Sequence, residues 1–258
     1  MNEIVTFGKG YKLNAGIKVF VQSAKRFCDK LTIVCSNLNS ELTSYLELHG
    51  VNIVDAKQIA IKHNVDESIS PYTLKVIFFY LYCKHYCTSN KVYLCDFTDL
   101  CFQKNLFDLV TTSKPYVTSE NFLIANCQTN TTWINICYNS DIYNLLKKYE
   151  ILNGGSILGE LSGVTSLLKE MCADMTQIIS RIGNYQNIDQ ASLNKVVYFD
   201  KFRYNVLSNL EIANLAHYGN AAVTLNSQSV TINGAEPYVL HQYDVIKPLE
   251  TFLYEQYK

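Results

Sequence analysis

The stretch that decides the fold of this chain is Lys91–Phe107, with the sequence KVYLCDFTDLCFQKNLF. Its residues 92–95 form a short apolar, β-prone run, which predicts a buried strand. The run ends at Asp96, and a second carboxylate, Asp99, follows after two residues. Open α/β sheets bind their ligands at the carboxyl ends of the strands, so this pair of acids marks a candidate ligand site.

Two interpretations of the Asp96 and Asp99 pair follow from its chemistry. Neighbouring carboxylates repel each other unless a cation, a proton or a basic side chain lies between them. Oxygen ligands of this kind suit a hard divalent cation such as Mg²⁺ or Mn²⁺. The alternative is a strand that ends in an Asp-initiated turn, with Asp99 capping a short helix. The stretch by itself leaves both interpretations open.

Composition limits the class of protein. The chain has 258 residues, 48% of them hydrophobic, which is enough to bury the core of one large domain. Its formal net charge of -1 argues against a dedicated nucleic-acid binder, because such proteins need a clustered basic face. The nine cysteines are odd in number and lie in apolar runs, which predicts buried free thiols in a reducing compartment.

The N-terminal sequence MNEIVTFGKG enters a strand pattern at once and lacks the apolar region and cleavage site of a signal peptide. The longest conspicuous apolar run, Val76–Cys83, is too short to span a membrane. We therefore expect a protein of the cytoplasm, or of the host cytoplasm if the chain is viral, with no transmembrane segment.

Before the central stretch, strand and helix patterns alternate. Strands are predicted at 4–7, 31–35 and 51–54, and helices at 15–27, at 40–49 and from Pro71 onward. Glycines in the Gly8-Lys9-Gly10-Tyr11 loop permit a tight turn after the first strand. This alternation predicts a parallel, nucleotide-binding α/β half-sheet.

After the central stretch the pattern is less regular. The predicted strands lie at 116–118, 196–199, 222–225, 229–232 and 238–241. A polar loop is predicted at 126–132, and helices at 133–138, 141–149, 161–175 and 176–182, with a further helix capped by Asp189. The Gly154-Gly155 pair either lets the backbone approach another group closely or marks a turn into a strand. No repeat or linker divides the chain, so we predict a single domain over residues 1–258.

Several modest signals follow one another in a fixed order: the acids at 96 and 99, Asn153-Gly154-Gly155 before an apolar run, Asp189-Gln190 in a helix start, and His241 six residues before Lys247-Pro248. This order resembles the nucleotide-sugar glycosyltransferases of GT-A fold. It is similar to retaining enzymes of the glycogenin and lipopolysaccharide galactosyltransferase type. It also resembles related viral and bacterial sequences in which Asp-x-x-Asp is followed by Phe-Gln, here Phe102-Gln103.

The resemblance implies a role for each matching residue. The donor nucleotide sugar would be bound by Thr6, Phe7, Gly8, Tyr11, Lys75, Asp96, Asn153, Gly154 and Lys247. Among these, Tyr11 would stack on the base, Lys75 would bridge the acids and the donor, and Lys247 would bind the diphosphate as a point charge.

The resemblance also implies a Mn²⁺ or Mg²⁺ ion held by Asp96, Asp99 and His241, with Asp96 serving the ribose as an alternative role. Asp189 and Gln190 would be the catalytic residues. With retention of configuration, Gln190 would lie on the face opposite the leaving group. With inversion, Asp189 would be the first candidate for the general base.

The implied fold class is α/β, with a Rossmann-like nucleotide-sugar-binding half at 1–110 and a less regular acceptor half at 111–258. The implied activity is a metal-dependent, retaining hexosyl transfer from a uridine-linked donor to a glycan or protein acceptor, with no role for nucleic acid. The alternatives are a sugar nucleotidyltransferase and a non-catalytic nucleotide-sugar-binding protein. The chain departs from the family pattern at the extra residue between its acids and at Asp244-Val245, where the pattern has a glycine.

Overall fold

A seven-stranded mixed sheet forms the centre of the protein. The structure is a computed structural model that describes residues 1–199, 204–217, 222–226 and 229–258. The strands of the described residues are β1 (Asn2–Lys9), β2 (Lys30–Ser36), β3 (Asn52–Asp55), β4 (Lys91–Cys95), β5 (Leu100–Phe102), β6 (Tyr116–Leu123), β7 (Glu150–Glu160), β8 (Asn205–Leu207), β9 (Ile212–Asn214), β10 (Val223–Leu225), β11 (Val230–Ile232) and β12 (Val239–His241).

The α-helices of the described residues are distributed along the whole chain. They are α1 (Ala15–Ala24), α2 (Ser40–Leu48), α3 (Ala56–His63), α4 (Pro71–His85), α5 (Gln128–Cys137), α6 (Ser140–Leu146), α7 (Leu161–Ile182), α8 (Ile188–Phe199) and α9 (Lys247–Gln256). Asn14 caps α1 by accepting a hydrogen bond from the Ile17 amide, and Pro71 occupies the first turn of α4.

The strand order of the central sheet is β3-β2-β1-β4-β7-β6-β8. Strands β3, β2, β1 and β4 are mutually parallel, whereas β7 runs antiparallel to both β4 and β6. The parallel strands carry the α1 and α4 crossovers and form the predicted Rossmann-like half. The α/β class is therefore confirmed, and one sheet joins the two predicted halves through the β4–β7 pairing.

A second, three-stranded sheet of order β5-β12-β9 lies beside the first. The chain passes from β4 in the large sheet to β5 in the small one within the four residues 96–99. In the small sheet His241 pairs with Leu100, the residue after Asp99. This pairing brings the C-terminal part of the chain to the end of β4.

Apolar side chains fill both faces of the central sheet, which explains the continuous apolar character of its parallel strands. One face packs against α4, α7 and α8, and the other against α1 and α2. All nine cysteines are free, and six of them are buried, as predicted. No helix in the described ranges has the length and apolar character needed to cross a bilayer.

Several predicted elements are wrong. Residues 196–199 form the last turn of α8 rather than a strand, because β-branched and aromatic residues here pack a helix that is buried for most of its length. Residues 126–132 are mostly helical, in α5, rather than a loop. The helices expected at 161–175 and 176–182 are one helix, α7, in which the Thr176 hydroxyl donates back to the Cys172 carbonyl.

Two local interpretations are also corrected. Asp189 lies one residue inside α8 and does not precede it, so it is no helix cap. Asp99 leads directly into β5, so the alternative of a capped short helix after β4 is wrong. Gly154 and Gly155 lie in the middle of β7, which excludes a turn into a strand at that point.

Candidate functional site

The predicted acid pair meets His241 at the carboxyl end of β4. The Asp96 amide donates a hydrogen bond to the Gly155 carbonyl (3.1 Å), which fixes the start of the acidic segment against β7. The His241 Nε2 atom lies 3.6 Å from Asp96 Oδ2 and 3.6 Å from Asp99 Oδ2. The tertiary structure thus brings the neighbouring acids Asp96 and Asp99 together with a histidine that lies more than 140 positions later in the chain.

A buried asparagine orients the His241 ring. Asn214 Nδ2 donates to the Ser119 carbonyl (3.1 Å), so its Oδ1 atom is the one that faces His241 Nδ1 at 2.8 Å. Since Oδ1 can only accept, Nδ1 carries a proton. His241 is fully buried, and its Nε2 atom has no hydrogen-bond partner among the described residues, although it faces both carboxylates.

This arrangement calls for positive charge beside Nε2, either as a proton or as a cation between the three groups. Octahedral bonds of about 2.1 Å place neighbouring ligand atoms roughly 3.0 Å apart and opposite ones roughly 4.2 Å apart, and the two 3.6 Å separations lie between these values. Within the described part of the chain, no three or more His, Cys, Asp or Glu side chains are arranged to hold a metal ion as they stand. Two carboxylates and an imidazole nitrogen are nevertheless ligand types that a divalent cation such as Mn²⁺ accepts.

Lys75, on α4, joins the acid pair to Asp189. Its Nζ atom lies 2.8 Å from Asp96 Oδ1 and 3.2 Å from Asp189 Oδ2, and its side chain is only 9% exposed. Burial opposes the charged form, but the two carboxylates raise the pKa of Lys75 well above its usual value. The ammonium group is therefore a fixed positive charge inside the site.

The three acids of the cluster differ in their titration. Burial opposes ionisation of Asp96, yet the charge of Lys75 and the nearby His241 hold the pKa of this carboxyl well below its usual value. Burial raises the pKa of Asp99, against the opposing charge of His241. Burial likewise raises the pKa of Asp189, against the opposing charge of Lys75. Asp96 is thus the carboxylate that stays ionised most readily.

The glycine pair of β7 makes room for the cluster. A Cβ atom at Gly155 would lie 2.0 Å from Asp96 Oδ2, so a larger residue here would displace this carboxylate. A Cβ atom at Gly154 would lie 3.3 Å from the Gln190 backbone. The prediction that these glycines allow close approach of another group is confirmed. Asn153 turns its Oδ1 atom to the Gly155 amide (2.8 Å).

A residue that the sequence reasoning missed, Glu120, holds the other end of this region. Its Oε1 atom accepts hydrogen bonds from Asn153 Nδ2 (2.8 Å) and Gln190 Nε2 (3.3 Å), while Oε2 lies 3.0 Å from His217 Nε2. Gln190 Oε1 accepts from the Gly154 amide (3.1 Å), so the orientation of its side-chain amide is fixed. Glu120 is buried in β6, and no sequence motif marks it.

His217 completes the Glu120 cluster. Its ring is partly exposed and stacks on Phe122, with centroids 4.8 Å apart and ring planes 7° from parallel. The hydrogen bond to Glu120 raises the pKa of His217, against the opposing effect of burial. Because Glu120 occupies Nε2, the Nδ1 atom is the one left for other partners.

A cleft of about 310 Å³ opens beside the acid pair. It is lined by Phe7, Lys9, Tyr11, Pro71, Tyr72, Lys75, Asp96, Phe97, Thr98 and Asp99. The rings of Tyr11 and Phe97 meet edge to face at 5.3 Å, so Phe97 packs against the Tyr11 ring and braces it. A larger, open groove of about 1030 Å³ lies around Lys91 and Leu161, at the opposite end of β4, and contains none of the predicted site residues.

Five of the predicted donor residues lie outside the lining of this cleft: Thr6, Gly8, Asn153, Gly154 and Lys247. Thr6 is buried in β1 between Ile33 and Cys95, and its hydroxyl has no hydrogen-bond partner among the described residues. Gly8 follows in the same strand and lies beneath the Tyr11 ring. Lys247 is not brought into the cluster: its side chain is 77% exposed and pairs with Glu250 at 2.8 Å.

Comparison with known proteins adds information on the fold. No family model and no curated protein matches the chain. Among solved structures, it is similar to LgtC, a lipopolysaccharide galactosyltransferase of GT-A fold, in a crystal structure of an active-site mutant. The match has a TM-score of 0.52 and 12% sequence identity, and covers 93% of this chain and 86% of that one. At this identity the likeness establishes the GT-A fold alone.

Proposed function

We propose that this chain is a metal-dependent glycosyltransferase that takes its sugar from a nucleoside diphosphate. The observation that carries the proposal is the convergence of Asp96, Asp99 and the unpartnered His241 Nε2 at the end of β4. The GT-A fold of the chain supports glycosyl transfer as the activity, since this edge of the sheet is where such a fold binds its ligand.

The three side chains would hold Mn²⁺ or Mg²⁺, with His241 favouring Mn²⁺ because an imidazole suits it better. When bound, the ion would neutralise the negative charge of the departing diphosphate. Asp96 would contribute a carboxylate that stays ionised, because Lys75 holds its pKa low. Lys75 itself balances two carboxylates and is thereby held in place rather than free to follow the substrate.

The cleft beside the acids would bind the nucleotide. Its volume of about 310 Å³ is at the lower end of ligand pockets, which measure roughly 300–1,000 Å³. We propose that the base stacks on Tyr11, whose ring is braced by Phe97, and that Phe7 lines the cleft beside it. This order of groups suits a uridine diphosphate, with the base at Tyr11 and the phosphates at the acids.

Lys247 would reach the diphosphate only by leaving Glu250. Its exposure at the start of α9 leaves the side chain free to move, and the ion pair that holds it is solvent-exposed and therefore weak. We propose that this exchange occurs on donor binding. Residues 1–110 would then supply the donor half, and residues 111–258 the acceptor half with this C-terminal segment.

The transferred sugar would lie between Lys75 and the Gln190 amide. Retention of configuration is the outcome that the contacts favour, because a general base must be free to take a proton and Asp189 is engaged by the buried Lys75. Gln190 is held in one orientation by Gly154, Glu120 and Asn130. The transferred group would be a hexose, and the acceptor a glycan or glycoprotein bound on the Glu120 side.

The proposal is tested by screening a panel of nucleotide sugars for thermal stabilisation and for Mn²⁺-dependent hydrolysis. We expect one uridine-linked sugar to stabilise the protein, and the Asp99→Ala and His241→Ala variants to lose both effects. Asp66→Ala is the matched control, because this exposed acid bonds only to its neighbour Ser68 within the described part of the chain. Absence of any stabilisation by the panel with Mn²⁺, or wild-type behaviour of both site variants, would refute the proposal.

A further inference from the structure

The residue between the two acids has an unusual backbone conformation. Thr98 has a φ angle of 131°, in a region that glycine adopts readily and a β-branched residue does not. Since φ is a rotation about a bond between Asp96 and Asp99, this angle sets the direction of one carboxylate relative to the other. Such a conformation persists only where surrounding contacts hold it.

Helix α1 supplies the first of these contacts. A Cβ atom at Gly16 would lie 2.4 Å from the Thr98 carbonyl oxygen, so the first turn of α1 touches this carbonyl through a bare backbone. Gly16 has no positive φ, and the glycine is therefore required by the close approach alone. No side chain at this position fits beside the acidic segment as it stands.

The segment after His241 supplies the second contact. The Tyr243 hydroxyl donates a hydrogen bond to the same Thr98 oxygen at 3.2 Å, and the Tyr243 side chain is fully buried. One residue earlier, the Gln242 amide donates to the Asp99 carbonyl at 2.8 Å. Two successive carbonyls of the acidic segment are thus held by the residues that follow His241.

An aromatic anchor holds the remaining residue of the segment. Phe97 is buried and meets the rings of Tyr11 and Phe20 edge to face, each at 5.3 Å. Phe20 belongs to α1, as Gly16 does. Helix α1 therefore contacts the segment at the two consecutive residues Phe97 and Thr98, although it contributes no carboxylate or imidazole to the cluster.

We infer that Gly16 and Tyr243 clamp the Thr98 carbonyl and so hold Asp96 and Asp99 where both carboxylates face His241 Nε2, the arrangement from which they would bind a divalent cation. Gly16 is in this sense a positioning residue of the site. The inference rests on the metal site proposed above and adds that α1 determines its geometry. Release of the clamp would let Thr98 relax to a negative φ and turn Asp99 away from Asp96 and His241.

The test is the affinity for Mn²⁺ alone, measured from the EPR signal of the free ion, in the Gly16→Ala variant. Gly163→Ala is a matched control, because Gly163 lies in the first turn of α7 and its Cβ atom would lie 2.2 Å from the Ser113 carbonyl oxygen. This second contact is at the far end of β7, remote from the acids. We expect similar losses of melting temperature in both variants and at least a ten-fold weaker Mn²⁺ affinity in Gly16→Ala only.

Tyr243→Phe tests the other side of the clamp without adding an atom. The ring keeps its packing, and only the hydrogen bond to Thr98 is lost. We expect Mn²⁺ affinity to fall roughly two-fold to ten-fold, as for the loss of one ordinary hydrogen bond. This variant remains informative if Gly16→Ala does not fold.

The outcomes separate the clamp from the proposed function. If the wild type binds Mn²⁺ and Gly16→Ala and Tyr243→Phe bind it equally well, the clamp is refuted while the metal site stands. If Gly163→Ala weakens Mn²⁺ binding as much as Gly16→Ala, the effect is a general loss of stability and the clamp is again refuted. If the wild type binds no Mn²⁺, the metal site fails and the clamp with it.

Discussion

The Lys75→Met substitution should destabilise the protein in a way that depends on pH. Among the described residues, Lys75 is the cation that pairs with Asp189, whose side chain is only 6% exposed. Methionine fills a similar volume but leaves this carboxylate buried without a counter-charge, which typically costs about 3–5 kcal/mol. Asp96 adds less, because its side chain is 35% exposed and still has His241 beside it.

The loss of stability cannot exceed the free energy needed to protonate Asp189, because the protonated carboxyl needs no counter-charge. At pH 7, an acid with an unperturbed pKa of about 3.9 takes up a proton at a cost of about 4 kcal/mol, since each pH unit is worth about 1.4 kcal/mol. At pH 5 the same limit falls to about 1.5 kcal/mol. In the variant the folded state holds this proton more tightly than the unfolded state, so its stability falls as the pH rises.

The measurement is urea unfolding of the wild type and of Lys75→Met at pH 5 and pH 7. We expect a loss of about 3–4 kcal/mol at pH 7 and of about 1.5 kcal/mol at pH 5. Lys57→Met, at an exposed position of α3, is the matched control and should change little at either pH. The double variant Lys75→Met with Asp189→Asn should recover much of the loss, because it removes the buried charge. An equal loss at both pH values would refute the reasoning.

Three further outcomes follow from other contacts. Asn214→Ala frees the Nδ1 atom of His241, and we expect Mn²⁺ affinity measured by EPR to fall about 10–100-fold, as for other residues that orient a ligand. Burial opposes ionisation of Glu3, but the four side-chain hydrogen bonds that it accepts hold its pKa low. In urea unfolding, the wild type should therefore be more stable than Glu3→Gln above pH ~4.5, and this difference should shrink at lower pH. Glu120→Gln removes the carboxylate that binds His217 and the side-chain amides of Asn153 and Gln190, so kcat should fall more than KM rises. The pKa of His217, measured by NMR titration, should also drop, and an unchanged value would contradict the assigned contact.

The short parallel strands and the ends of their crossovers were predictable because each is encoded locally. The apolar run at 92–95, the Pro71 helix start and the strand after Gly50 are confirmed within one or two residues. Where burial contradicts local pattern, prediction failed. Asn130 is a buried position of α5 and bonds to Gln190. Because a polar residue stands where the helical pattern requires an apolar one, the pattern did not indicate a helix here.

The residues of the candidate site also fall into those that the sequence predicted and those that it did not. Asp96, Asp99 and His241 carry chemistry that is readable from residue type and order, and they lie together. Glu120, Asn214 and Gly16 are missing from the sequence reasoning because a lone acid, amide or glycine has no distinguishing neighbours in the chain. Their roles exist only through partners that are distant in sequence.

The sequence by itself determined the α/β class, the position of the acidic segment at a strand end and the types of groups available for a cation. Strand propensity, apolar runs and side-chain chemistry act over a few residues and need no knowledge of the rest. Only the tertiary structure decided that Lys75 reaches Asp189, that His241 Nε2 faces two carboxylates without a hydrogen bond from the described residues, and that Lys247 pairs with Glu250 instead of joining the cluster. These facts depend on distances between elements, which the packing of two sheets and their helices sets and which no local pattern contains.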